Sequence, residues 1–244
     1  MNDTNIHLEI INTINLKKDE KYAKTYKRFF KTSLGDYAEN DIFIGVKVPE
    51  LRKIAKTYNN ISLENIRKLL NNNIHEYRHC GLIILVNKYE KTKHKSEKEE
   101  IFNFYLKNTK YINNWDLVDC SCAKIIGNYI YYNIDKINIL YNLSKSDNLW
   151  ERRISIISTH YFIRKNNFEH TLNISKILLT DKEDLINKAV GWMLREVGNR
   201  DKETLLNFIK ENIGNIPKIT LRYSLEKFNK SEREYYYNIN KNRK

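Results

Sequence analysis

The chain has 244 residues, with 43 lysines and arginines against 30 acids and a formal charge of +13, which places its pI near 9.4. That length suits one large domain or an extended repeat array, and the charge suits a polyanionic partner such as nucleic acid. No stretch approaches the roughly 18 consecutive apolar residues of a membrane span. Met1 to Leu16 carries Asp3 and Glu9 rather than the basic start and apolar run of a secretory signal, so a cytoplasmic protein without membrane contact is expected. Cys80, Cys120 and Cys122 are too few for a disulfide framework and read as small core residues in a reducing compartment.

Apolar residues recur at helical period almost throughout, without convincing strict alternation, and two prolines and seven glycines leave little punctuation for sheets. The first 31 residues read as an N-terminal helical segment. Lys17, Lys21, Lys24, Arg28 and Lys31 fall at spacings of four, three, four and three on it, a basic stripe able to track phosphates. Residues 32–48 form a loop containing the Gly35-Asp36 turn signal. From there Pro49 and Ser62 open helices, and Ser96 with Glu99 reads as a capping box. Asn114, Asp147 and Asp181 read as N-caps spaced by 33 and 34 residues. Pro217 opens another helix, and Ser231 with Glu234 a last one. Helices of this length, joined by short polar turns in units of about 35 to 40 residues, predict an all-α fold. Its expected form is a curved α-solenoid of HEAT-like antiparallel helix pairs. Repeats occupy 49–230 of one domain spanning 1–244, and a basic, tyrosine-rich tail covers 231–244.

His75-Glu76-Tyr77-Arg78-His79 matches the H-E-x-x-H pattern of zinc hydrolases. It follows Asn71 to Asn73, which puts it in the first turns of a helix, and Leu82 and Leu85 stand where the extended motif needs glycine and histidine. No metal and no cofactor are therefore expected. Phosphate-loop, dinucleotide and serine-nucleophile motifs do not occur.

The three tryptophans each precede a charged residue by one helical turn: Trp115 and Asp119, Trp150 and Arg153, Trp192 and Arg195. Each pair shares a helix face. An aromatic surface beside a carboxylate and guanidinium groups suits a nucleobase held against a phosphate backbone. Trp150 is the one that reads as core packing.

Six segments carry a resemblance in order along the chain: DIFIGVKVPELRKIAK (41–56), IHEYRHCGLIILVNKYE (74–90), INNWDLVD (112–119), DNLWERRISIISTHYFIRK (147–165), KAVGWMLREVGNRD (188–201) and IPKITLRYSLEKF (216–228). With these the chain resembles the AlkD-like DNA alkylation repair family, HEAT-like-repeat DNA glycosylases, from about Tyr22 to Tyr236. The resemblance implies hydrolysis of the N-glycosidic bond of cationic N3- or N7-alkylated purines in double-stranded DNA, by a monomer. It implies catalytic roles for Asp119, Trp115 and Trp192 and a DNA contact for Arg153, with Lys47, Lys21, Lys24, Arg28, Lys188 and Arg195 as further DNA-binding residues. Two positions depart from the family pattern. Phe29 or Phe30 replaces an aromatic hydroxyl, and Lys47 replaces a glutamine. A non-catalytic binder of DNA structures on the same scaffold is the alternative, followed by a protein-interaction scaffold; a zinc hydrolase is the least favoured.

Overall fold

The computed structural model describes residues 5–242, which are all-α. Among them a single parallel bridge, Ile42 with Ile74, is the only extended pairing. The chain divides into two compact units, residues 1–125 and 126–244. None of the described helices is long and apolar enough to cross a membrane.

The first unit runs through α1 (Ile6–Asn15), α2 (Glu20–Phe29), α3 (Val48–Thr57), α4 (Leu63–Leu70), α5 (His75–Lys91), α6 (Lys95–Lys107) and α7 (Trp115–Cys122). The N-terminal segment is thus two helices, because Leu16 and Lys17 form a turn and Asp19 caps α2, accepting from the amides of Lys21 and Tyr22. Only Lys21, Lys24 and Arg28 of the basic stripe lie on α2, and Lys31 sits beyond it at φ 52°. Helix α5 is the unit's axis. It is buried along most of its length, and α3, α4, α6 and α7 all pack on it. Ser62 caps α4 by accepting from the Asn65 amide at 3.3 Å, and Asn114 accepts from the Trp115 amide at 2.8 Å. The expected box at Ser96 does not form. Helix α6 begins two residues earlier, after His94, whose side chain makes no cap, and upstream Thr92 accepts from the His94 amide and donates to Glu97.

Between α2 and α3 the chain crosses the end of α5. Ile42 accepts from the His75 amide at 2.9 Å, and Glu76 receives the amides of Ile44, Gly45 and Val46 on its carboxylate, the shortest at 2.7 Å. A carboxylate ringed by three backbone donors fixes the loop to the helix start. Gly45 has φ 84°, and a Cβ there would lie 2.0 Å from the Asp19 carbonyl oxygen, so only glycine lets α2 approach.

The second unit contains α8 (Asn128–Tyr132), α9 (Asn138–Leu143), α10 (Leu149–Ser158), α11 (His160–Ile163), α12 (Glu169–Leu178), α13 (Asp184–Gly198), α14 (Lys202–Glu211), α15 (Lys218–Ser224) and α16 (Lys230–Asn242). Here α13 is the axis, contacted by α10, α12, α14 and α15. Gly191 allows α15 to come close, since a Cβ would meet the Thr220 carbonyl at 2.7 Å. Three caps shift from their expected residues. Asn148 rather than Asp147 caps α10, and Glu183 precedes α13 while Asp181 accepts the Glu183 amide. Asn229 and Glu232, rather than Ser231 and Glu234, exchange the two bonds of a capping box before α16.

Candidate functional site

Trp115 opens α7, and Asp119 follows one turn later on the same helix, half-buried, with Tyr105 in its electrostatic neighbourhood. The indole is held on two sides. Its N–H donates to the Tyr37 hydroxyl at 3.2 Å, and its ring stacks on Phe30 at 5.2 Å and 21°. Phe30 stacks in turn on Phe43 at 4.8 Å, and Phe29 meets Trp115 edge-on at 5.7 Å. The loop at 32–40 therefore packs into this cluster through Tyr37 and Ala38.

The residue between them, Asp116, was not singled out by sequence reasoning, and it is the anchor of the helix. Its Oδ2 accepts from His75 Nε2 at 2.8 Å and lies 3.4 Å from His79 Nδ1. His75 Nδ1 faces Asp41 Oδ2 at 3.2 Å, and Asp41 also receives Arg78 Nη2 at 2.6 Å and Asn114 Nδ2 at 3.1 Å. Burial alone would depress His75, but the charge of Asp116 and the bonds to both carboxylates outweigh it and push its pKa up to about 9. His79 is likewise desolvated, yet Cys120 and Asp116 beside it raise it to about 9. The same partners hold Asp116 and Asp41 below the usual carboxylate range against the opposing effect of burial. The histidines and Arg78 thus compensate the two aspartates inside the fold.

His75, His79 and Asp116 each bring one ligand atom within 4.8 Å of the others, so a third ligand for the H-E-x-x-H pattern does exist, from a helix 41 residues away. The chemistry is unfavourable to a metal all the same. Both nitrogens of His75 are engaged by carboxylates, the raised pKa values keep protons on the rings, and metal binding would have to displace them. Glu76, the general base of the zinc pattern, is spent on backbone amides.

In the second unit Trp192 is half-buried with its N–H donated to Glu196 Oε1 at 3.1 Å, and its ring lies 6.0 Å from His160. Arg195 pairs with Glu226 and Glu196, and Lys188 lies 3.9 Å from Asp184. Trp150 is buried, as expected. Arg153, expected to meet a phosphate, has only 5 % of its surface exposed, and its Nη1 donates to the Leu185 carbonyl at 2.5 Å. Its first job in this fold is to brace α10 against α13. Of the cations expected to bind DNA, Lys21, Lys24 and Arg28 on α2 are exposed, as is Lys47 at the N-cap of α3, whose ammonium sits 4.0 Å over the Tyr22 ring.

The first unit thus combines an aromatic cluster, a helix anchored through Asp116 and exposed cations on α2, within an all-α helical-repeat fold. The model of the family described as DNA alkylation repair enzyme matches residues 10–228, and the chain belongs to that family. Its structure is similar to that of a predicted DNA alkylation repair enzyme from Enterococcus faecalis, with a TM-score of 0.68 at 17 % identity over 88 % of this chain and 98 % of that one. At that identity the likeness speaks for the fold. No match emerges among curated proteins.

Proposed function

We propose that the protein is a DNA glycosylase that hydrolyses the N-glycosidic bond of cationic N3- and N7-alkylated purines in double-stranded DNA, acting in the cytoplasm as a monomer. The observation that carries this reading is α7, which presents Trp115 and Asp119 one turn apart while the Asp116–His75 link fixes the helix in place. An alkylated purine cation needs no general acid to depart. Positive charge develops on the deoxyribose as the bond breaks, and the Asp119 carboxylate stabilises that charge and orients the attacking water. Trp115 offers an aromatic face to the cationic sugar or base. Lys21, Lys24, Arg28 and Lys47 neutralise flanking phosphates. Trp192, with its indole fixed by Glu196, is a separate arm of the proposal in the second unit.

One observation favours a second reading, a DNA binder without excision. Phe30 covers a face of Trp115, and neither Phe29 nor Phe30 supplies a hydroxyl. Release of free base from methylated duplex DNA separates the two: a glycosylase liberates 3-methyladenine or 7-methylguanine, and a binder liberates neither.

A further inference from the structure

Helix α16, which carries the tyrosine-rich tail, is fastened to the second unit at both ends. Glu232 in its first turn receives the Lys202 ammonium at 2.6 Å. In its last turn the buried Asn240 accepts from the Gly214 amide at 2.9 Å and donates to the Ile216 carbonyl at 3.1 Å. Between α15 and α16 this leaves a half-open cavity of about 310 Å³. Its apolar surface comes from the buried Leu221 and the half-buried Tyr237. Its charged lining is entirely basic. Lys218 and Arg222 lie one turn apart on α15, Lys241 follows Tyr237 by one turn on α16, and all three cations are exposed. No carboxylate lines the cavity, and none of the three is ion-paired among the described residues. Glu226, one turn after Arg222, is taken up by Arg195.

Three uncompensated cations beside an aromatic ring select an anion attached to a flat group. A phosphodiester carries a single negative charge, whereas a phosphate monoester carries about −1.5 to −2 near neutral pH and offers three acceptor oxygens. The monoester is the closer match to three cations. Arg222 supplies planar paired donors that fit phosphate oxygens, and Tyr237 offers a base a ring to stack on. The volume lies at the small end of the roughly 300–1,000 Å³ of ligand pockets, which suits one nucleoside rather than a stretch of duplex. We propose that this cavity binds a nucleoside phosphate monoester, with the base on Tyr237 and the phosphate among Lys218, Arg222 and Lys241. Two sources carry that chemistry, a free mononucleotide and the phosphorylated end of a DNA strand. None of these residues takes part in the glycosylase reading, and the site does not depend on it.

The test is calorimetric titration of the whole protein with deoxyadenosine 5′-monophosphate, with deoxyadenosine and with inorganic phosphate. The monophosphate should bind more tightly than either fragment. Arg222→Gln, at an exposed position, should weaken that binding about tenfold or more while the circular-dichroism melt stays that of the wild type. Tyr237→Ala removes the stacking ring and should weaken it about tenfold. Should that variant fold poorly, Lys241→Gln, also exposed, joins Arg222→Gln in the test. Competition then separates the two sources. A single-stranded oligonucleotide with a 5′-phosphate that displaces the monophosphate, where its 5′-hydroxyl counterpart does not, identifies the strand end; displacement by neither identifies the free nucleotide. Equal displacement by both would reveal an ordinary backbone contact and overturn the proposal. So would a monophosphate that does not bind, one that binds no tighter than inorganic phosphate, or wild-type affinity in the folded variants.

Discussion

His75 donates to Asp116 across 2.8 Å, joining the first turn of α5 to the first turn of α7 beneath Trp115. Breaking a buried pair of this kind by removing one partner typically costs about 3–5 kcal/mol. Asp116→Asn and His75→Gln should therefore lower the melting temperature sharply. They should also lower any activity that depends on the placement of Trp115 and Asp119. A melt unchanged in both variants would show the link to be incidental.

The same cluster sets a pH dependence. His75 and His79 are raised from 6.5 to about 9 in the folded protein. Their contribution is fully present below about pH 6.5 and is lost as pH rises through 9. Asp116 and Asp41 are depressed from 3.8, so their contribution is present above that value and lost as pH falls. Thermal stability should peak between about pH 4 and 6.5 and fall toward pH 9, with a shallower alkaline slope in His75→Gln. Melting curves across that range check it; a flat alkaline limb contradicts it.

Metal independence follows from the protonated rings. Excision should survive exhaustive chelation, and the purified protein should carry no stoichiometric zinc by elemental analysis. Zinc at one per chain, with activity lost on chelation and restored by the ion, would return the H-E-x-x-H residues to a catalytic role.

Much of the fold was legible in the sequence, because helix periodicity and caps are local signals. Pro49, Ser62, Asn114 and Pro217 stand where helices begin. The caps at Ser96, Asp147 and Ser231 were misplaced by one or two residues: Asn148 and Asn229 lay better positioned as acceptors, and α6 starts after His94 with no side-chain cap. The anchor of the site was not legible. Asp41, Glu76, His75 and Asp116 meet across 30 to 70 residues of chain, and only the fold brings them together. The histidine motif was visible and was set aside as a zinc site, but its carboxylate partners on other elements, Asp41 and Asp116, were not foreseen. Arg153 shows the reverse limit, because its position on a helix face gave no sign that Leu185 would bury it.

Gly45 should be intolerant of any side chain. Its φ of 84° and the 2.0 Å approach to Asp19 leave no room for alanine. The backbone strain alone costs about 1–3 kcal/mol, and the clash must also push α2 away. Gly45→Ala should be strongly destabilised in denaturant titration, whereas Gly35→Ala, where nothing lies within 4 Å, should suffer only the strain. Equal losses at both positions would contradict the packing argument.

DNA affinity should be dominated by backbone contacts from α2 and Lys47. If about four phosphates are neutralised, log K should fall with log salt at a slope of about −3 to −4. Exchanging Lys21, Lys24 and Arg28 for glutamate should flatten that slope without altering the melt. A slope near zero in the wild type, or an unchanged slope in the triple variant, would make these side chains ordinary solvated cations.

The most direct test of the central claim is single-turnover release of 3-methyladenine and 7-methylguanine from methylated duplex DNA, at constant salt, by the wild type and by Asp119→Asn. Loss of one preorganised charge at the transition state should slow release about 10²- to 10³-fold, or about 3–4 kcal/mol, with DNA affinity nearly unchanged. Trp115→Ala and Trp192→Ala should slow it too, with more loss of binding. A wild type that releases neither base, or an Asp119→Asn variant that matches it, would contradict the account.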